Sequence, residues 1–360
     1  GSPMTESTKR IKGRATVNNP ANRFSDTHHE AFDDGWGAQG DDPDAPATEL
    51  IPDASRSVLV YNQSPDVPFD RSVNPYRGCE HGCVYCYARP THAYLDCSAG
   101  LDFETRIFYK AGAAELLAQE LGNPCYQCQP IALGVNTDAY QPAERKLKIT
   151  RDILEVLLAH RHPVGIVTKS ALVERDLDLL GDMAKRNLVH VMVSVTSLDK
   201  RLARSMEPRA AAPRRRLESI RRLSAAGIPV GVLVAPVVPV LNDGEIESIL
   251  TEVRRAGALS AGYVMLRLPH EVKDLFRSWL QRHVPLKADH VMKRIRDIRG
   301  GSENDSQFGR RMRGTGVYAE LIQKRFEIAL ARLSFQGMPA FDSSCFRVPR
   351  TSAPQLELFE

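Results

Sequence analysis

Residues 77–87 read RGCEHGCVYCY, and within them Cys79, Cys83 and Cys86 stand in the spacing C-x3-C-x2-C. Three thiols inside eight residues converge only on a metal ion or a metal cluster. A structural zinc site needs a fourth protein ligand, for which His81 or His92 is at hand. A cubane iron–sulfur cluster held by three cysteines instead leaves one iron open. The surroundings of the motif decide the fold that carries it. A short β-branched run lies just upstream, near Val73, and others follow at Ile131–Val135, Val164–Thr168, Val189–Val195, Ile228–Val234 and Gly262–Leu266. Between them lie segments of helical period such as Ala113–Leu121 and Glu144–His160, where Ile149, Ile153, Val156 and Leu157 recur at a spacing of three to four. Runs such as VGIVT, VHVMVSV and IPVGVLV are continuous in Val and Ile, as in parallel strands buried on both faces. Repeated β-α units therefore predict an α/β fold, an open or partial (β/α)6 barrel over residues 51–270, with the cysteines directly after its first strand.

Outside this core the pattern changes. Residues 1–50 carry five Lys or Arg against nine Asp or Glu and show no apolar period, so they read as a largely disordered acidic segment, with Phe32 to Trp36 as the exception. The rest of the chain carries 43 basic against 35 acidic residues, a balance that attracts phosphates. Residues 271–340 read as a helical extension, with amphipathic segments near 271–283, 287–298 and 317–334 and the loop GGSENDSQFGRRMRGTG at 300–316. Residues 341–360 read as a flexible tail. No run approaches the ~20 apolar residues of a membrane span. The opening Gly1-Ser2-Pro3 reads as a cloning remnant ahead of a start at Met4, and no secretory signal follows, so a cytoplasmic protein is expected.

With Tyr85 directly before its last cysteine, the motif resembles the signature of the radical S-adenosylmethionine superfamily. The resemblance implies a [4Fe-4S] cluster on Cys79, Cys83 and Cys86 whose open iron takes the amino and carboxylate groups of S-adenosylmethionine. It also implies an electron-donor protein such as flavodoxin or ferredoxin, and a 5'-deoxyadenosyl radical that abstracts a substrate hydrogen. A longer set of segments narrows the resemblance: NPYRGCEHGCVYCYARPTHAYL, IALGVNTDAYQPAER, IVTKS, SVTSLD, MEPRA and VAPVVPVLND. Together they are similar to a DNA repair photolyase-like family related to spore photoproduct lyase, over roughly residues 10–335.

In a parallel barrel, functional groups gather where strands end. Just past the expected strands stand Asn136, Thr137 and Asp138, then Lys169 and Ser170, Ser194 and Thr196, and Arg267. These are candidates for cofactor and substrate, and the resemblance favours Asn136 to Asp138 with Lys169 and Ser170 for S-adenosylmethionine. Helix capping is the plainer role for any one of them. Glu207 and Arg209 follow the fourth strand as further cofactor candidates, a surface salt bridge being the alternative. Tyr85 and Tyr87 flank Cys86, to cover adenine, tune the cluster or simply pack around it. Cys125 and Cys128 form a second C-x2-C, which with Cys97 offers ligands for an auxiliary cluster or a hydrogen donor to a substrate radical. In the lyase the donor cysteine lies on the second strand, where this chain offers Asn136.

Two basic stretches bear on the substrate. Residues 200–222 hold eight Arg and one Lys against Glu207 and Glu218, and residues 282–313 hold nine Lys or Arg against four acids. A groove following a nucleic-acid backbone explains both, and a solvated helix face suffices for the first. The terminal Gln355, Leu356, Leu358 and Phe359 resemble the QLxLF peptide with which bacterial repair proteins bind the DNA polymerase III sliding clamp. The expectation is a clamp-recruited radical enzyme acting on a DNA base, flipped out to reach the barrel mouth. The alternatives are radical modification of a protein, peptide or metabolite, or a non-catalytic, metal-stabilised clamp-binding protein.

Overall fold

The computed structural model describes Arg14, residues 33–36 and residues 46–349. Its strands are β1 (Glu49–Pro52), β2 (Leu59–Tyr61), β3 (Arg71–Val73), β4 (Tyr76–Arg77), β5 (Arg106–Tyr109), β6 (Ile131–Leu133), β7 (Val164–Thr168), β8 (Val189–Ser194), β9 (Val230–Val237) and β10 (Ser260–Met265). The α-helices are α1 (Leu101–Thr105), α2 (Ala113–Leu121), α3 (Glu144–Leu147), α4 (Ile149–Ala159), α5 (Leu177–Ala184), α6 (Lys200–Met206), α7 (Pro213–Ala225), α8 (Ile246–Ala256), α9 (Val272–His283), α10 (Pro285–Ile298) and α11 (Val317–Arg332).

The six apolar runs become β3, β6, β7, β8, β9 and β10, which pair in parallel in chain order, while β2 adds antiparallel to the β3 edge. Helices follow the strands as crossovers, the arrangement that parallel pairing demands. Val164 and Ile166 of β7 and the valines of β8 and β9 are buried in one continuous core with the inner faces of α2, α4, α7 and α8. Edges β10 and β2 are not paired with each other, so the barrel is partial, as expected.

Local chemistry moved some boundaries. The single helix expected over Glu144–His160 is broken at Lys148, where φ is +54°. The Glu144 carboxylate accepts from Thr150 N at 3.0 Å, supplying an acceptor for the free amides that begin α4. A three-stranded sheet, β1-β5-β4, has no counterpart in the sequence reading because its strands are too short to show a period. It frames the cysteine loop, with β4 just before it and β5 just after α1.

The helical extension is present but shares the core of the cysteine loop. Val272, Phe276, Trp279, Val291 and Ile295 of α9 and α10 form one apolar cluster with Cys83, Val84, Tyr85, Met206 and Leu266. Of the tail expected from residue 341, the first part is docked. Gln336 N donates to Leu259 O, Asp342 N to Asn187 O and Arg347 N to His160 O. Phe341 stacks on His190 at 3.8 Å, and Phe346 packs on Tyr126, His160 and His162. These partners precede or begin β10, β8, β7 and β6, so this segment crosses the end of the sheet where the strands begin. Most of the acidic N-terminal segment and the sequence Gln355–Phe359 lie outside the described residues. Trp36, however, is buried, and its Nε1 donates to Ala210 O at 2.7 Å. No helix among the described residues is long and apolar enough to cross a membrane.

Gly134 ends β6 at φ +82°, and a Cβ there would lie 2.7 Å from the Val167 carbonyl of β7. Gly134→Ala should therefore cost more than ~2 kcal/mol in urea unfolding. Gly181→Ala, inside α5 with open space around it, should be neutral or gain ~0.5–1 kcal/mol.

Candidate metal centre

The cysteine loop is shaped by two glycines and held from every side. Gly78 has φ +82°, and a Cβ there would be 2.9 Å from the His92 ring. Gly82, at φ +65°, faces the Glu104 carboxylate at the same distance. Cys79 N donates to Phe103 O at 2.9 Å, Val84 N to Met206 O at 3.0 Å and Arg209 N to His81 O at 3.2 Å. Gln141 clamps the loop twice, donating to Gly78 O at 3.1 Å and accepting from Glu80 N at 3.0 Å. Arg89, fully buried, donates to the carbonyls of Cys83, Ala99 and Gly100 and pairs with buried Glu104 at 2.7 Å.

Cys79 and Cys83 are buried and Cys86 half-buried, in a shell that includes Val84, Tyr85, Ala88 and Phe103. Burial pushes the Cys83 thiol up to about 12, against the pull of Lys169. Burial, then Asp138 and the neighbouring thiols, raise Cys79 well above its ordinary value. Loading this site thus requires proton release. Of the two imidazoles weighed as a fourth zinc ligand, each has one ring nitrogen bonded within the protein: His81 Nδ1 lies 3.3 Å from Asp138 Oδ2, and His92 Nε2 is 2.9 Å from Arg106 O. Among the described residues no three His, Cys, Asp or Glu side chains are grouped to hold a single ion. A four-iron cubane is wider than one ion, and three cysteines around an apolar pocket would hold three of its four irons. The residues present fit that group: Cys79, Cys83 and Cys86 would hold it, and one iron would be left for a ligand from outside the chain.

Behind the loop lies a buried charge network. The fully buried Glu207 accepts from Tyr85 OH, from Thr196 Oγ1 at 2.6 Å and from Arg216, whose side chain is 2% exposed. The surface salt bridge weighed for Glu207 and Arg209 does not form; Arg209 turns to Glu80 at 3.5 Å. Burial opposes ionisation of Glu207, but Arg216 and Lys169 hold it below the usual carboxylate range. Lys169 Nζ lies 5.9 Å from the Tyr85 ring centroid. Burial works against its ammonium, yet Cys83 and Glu207 raise its pKa above the ordinary value.

The other strand-end residues divide into framework and mouth. Thr137 Oγ1 donates to Tyr76 O at 2.7 Å. Asp138 accepts from Tyr140 N, Thr168 Oγ1 and Lys169 N at 2.7–2.9 Å; burial opposes its charge, but His81 and these bonds hold it at about 2. Ser170 caps the turn at Ala171 by accepting from Leu172 N, and buried Ser194 passes its carbonyl to Arg216. Thr137, Asp138 and Thr196 are thus buried with their side chains hydrogen-bonded within the protein, and half-buried Ser170 caps its own turn. Exposed Asn136 and half-buried Lys169 stay at the mouth. Tyr87 also lines it, its OH donating to Val135 O and its ring lying 4.7 Å from the Arg267 guanidinium.

Cys125 and Cys128 are at the wrong end. They precede β6, whose register with β3 pairs Ile131 with Arg71, and Arg71 donates to Gln127 O at 2.6 Å. The cysteine loop follows the other end of β3. Burial raises Cys128 to about 11, so it is a poor thiolate as well. Cys97 instead meets Arg106 at 3.0 Å. The auxiliary cluster and the donor role proposed for these cysteines have no geometric basis. Gln141, Arg89, Glu104 and Arg216 were missed by sequence reading. Arg89 and Gln141 stand beside recognisable motifs, whereas Arg216 was hidden in a run that looked like a solvated face.

Arg216→Met should destabilise the protein by about 3 kcal/mol in chemical denaturation, because Glu207 would be left buried with only Lys169 as a nearby cation. Arg216→Met/Glu207→Gln should recover part of that loss, since no paired charge is missing and the amide still meets Tyr85 and Thr196. A double variant no more stable than the single would refute this account.

Comparison with known proteins agrees with the site. The Radical SAM superfamily model matches residues 73–253, just over half of the chain. The uncharacterized protein Rv2578c of Mycobacterium tuberculosis is 40% identical over 221 residues, covering 61% of this chain and 65% of that protein's length. Spore photoproduct lyase complexed with dinucleoside spore photoproduct has a similar fold, with a TM-score of 0.55 at 15% identity over 80% of each chain. A variant of that lyase with bound AdoMet and dinucleoside spore photoproduct gives 0.53 at 14%, again over 80% of each chain. The family implies a [4Fe-4S] cluster and S-adenosylmethionine. The chain belongs to the radical SAM superfamily.

Proposed function

We propose that this radical SAM enzyme repairs or modifies a base in DNA, with Cys79, Cys83 and Cys86 holding its cluster and a sliding clamp recruiting it. When bound, the reduced cluster and S-adenosylmethionine supply a 5'-deoxyadenosyl radical for hydrogen abstraction. The chain's own part is to keep the thiols in an apolar pocket, to present Asn136 and Lys169 to the cofactor, and to receive the substrate at the mouth.

The observation that carries the substrate class is Arg267. Its guanidinium stacks on Tyr87, which directly follows Cys86 and is 42% exposed, and it makes no ion pair among the described residues. Burial lowers its pKa, so an anion arriving there is favoured. A cation without a carboxylate partner beside an open aromatic face suits a phosphate and a stacked base. Spore photoproduct lyase, which shares the fold, has been solved with a dinucleoside lesion. This supports nucleic acid over a peptide or metabolite.

Anaerobic loading with iron and sulfide should give about four irons and dithionite-dependent 5'-deoxyadenosine, both lost in Cys79→Ala/Cys83→Ala/Cys86→Ala and kept in Cys125→Ala/Cys128→Ala. Affinity for damaged DNA should fall steeply with salt, and Arg267→Ala should weaken it about tenfold at fixed salt. Salt-independent binding, or turnover on peptides alone, would overturn the DNA assignment.

For the clamp, the supporting feature is the QLELF sequence itself. Removing residues 355–360 should abolish clamp association in a pull-down with purified clamp while leaving cofactor cleavage unchanged. Undiminished association would remove the clamp from the proposal.

A further inference from the structure

The opening between edges β10 and β2 is spanned by the glycine-rich segment after α10. On the β10 side, Met265 N donates to Met312 O at 2.8 Å and Arg299 donates to Leu266 O at 2.7 Å. On the β2 side, Gly309 N and Arg311 Nε donate to the two oxygens of Asp66, each at 2.6 Å, and Arg311 also donates to Ser64 at 2.6 Å. The Asp66 side chain is only 6% exposed. Glycines at both ends of the segment, Gly300, Gly301, Gly314 and Gly316, hold φ values between +64° and +91°. The segment is therefore a bridge with a glycine pair at each foot and a carboxylate latch near its middle.

The same segment carries cations on aromatic rings. Arg311, 4.6 Å from the centre of Phe308, is near enough to the Arg267–Tyr87 stack to act on both electrostatically, whereas Arg313 lies 4.0 Å from the ring of Tyr263, which is buried in the core against Phe326. Phe308 is 58% exposed. Of these three arginines only Arg311 has a carboxylate partner among the described residues. A backbone N–H and a guanidinium N–H converging on two oxygens are the donors that a phosphodiester also accepts.

We infer that Asp66 occupies an anion site meant for the substrate's phosphate backbone, latching residues 307–313 across the barrel seam until a phosphate takes its place on Arg311. The inference rests on the nucleic-acid reading and adds to it an internal competitor. A closed latch lowers apparent affinity by the fraction of molecules in which it is open. Removing the carboxylate therefore tightens binding, whereas a carboxylate that merely organised Arg311 would weaken it on removal.

Two measurements on the full-length protein test this. In hydrogen exchange without DNA, Asp66→Ala should speed the amides of residues 307–314 by about tenfold or more while β7 and β8 stay protected. In fluorescence anisotropy with a single-stranded oligonucleotide, Asp66→Ala should bind about five- to tenfold more tightly than wild type at the same salt. Asp66→Asn, which keeps an acceptor for Gly309, should fall between them, and Arg311→Met should weaken binding in either background. If wild type binds and neither Asp66 variant binds more tightly, the latch is overturned and the nucleic-acid reading survives. If no form binds the oligonucleotide, the nucleic-acid reading falls and the latch falls with it.

Discussion

The buried pair of Arg216 and Glu207 is the interaction on which the cysteine loop depends. A charge removed from water must be matched locally, and here the match joins three distant parts of the chain. Arg216 comes from α7, Glu207 from the turn after α6, and Tyr85 and Thr196 bring in the cysteine loop and the end of β8. The Arg89–Glu104 pair does the same on the other side, reaching the Cys83 carbonyl from the turn that follows the motif. A loop rich in glycine and cysteine has little apolar mass of its own. These two pairs give it a fixed shape before any metal arrives.

The parallel sheet turns that rigidity into a polarity. Each of the parallel strands β3, β6, β7, β8, β9 and β10 ends on the side of the cysteine loop, so Asn136, Lys169 and Arg267 come to the same side although they are far apart in sequence. The opposite end is crossed by residues 334–347, whose Phe341 and Phe346 pack on histidines and a tyrosine at or just before the starts of the strands. A covered base leaves the strand ends beside the cysteine loop as the side where a cofactor and substrate would be received and shielded from water. Helices α9 and α10 belong to this design because they cover the apolar back of the loop.

Much of this was legible in the chain. The motif and the six strands could be read because each depends on neighbours in sequence: thiol spacing, runs of Val and Ile, and helical period. The smaller sheet was invisible because strands of two to four residues leave no period. The break at Lys148 depended on a carboxylate five residues away from the helix it caps. Arg216 looked like one more cation on a solvated face, and only the packing of α7 against β8 put it out of water.

The sequence by itself determined the fold class, the cysteine motif and the family, since these rest on local spacing and periodicity. Tertiary structure alone decided which polar residues face the pocket and which brace it. Asp138, Thr137 and Thr196 stand where a cofactor contact is expected, yet their side chains are hydrogen-bonded to Thr168, Tyr76 and Glu207 from distant parts of the chain. Cys125 and Cys128 carry a metal-like spacing, yet strand register puts them at the closed end. The physical reason is the same in each case. A side chain's role depends on what long-range pairing brings within hydrogen-bond reach, and that pairing is set by the register of strands and the burial of charge, not by residue spacing.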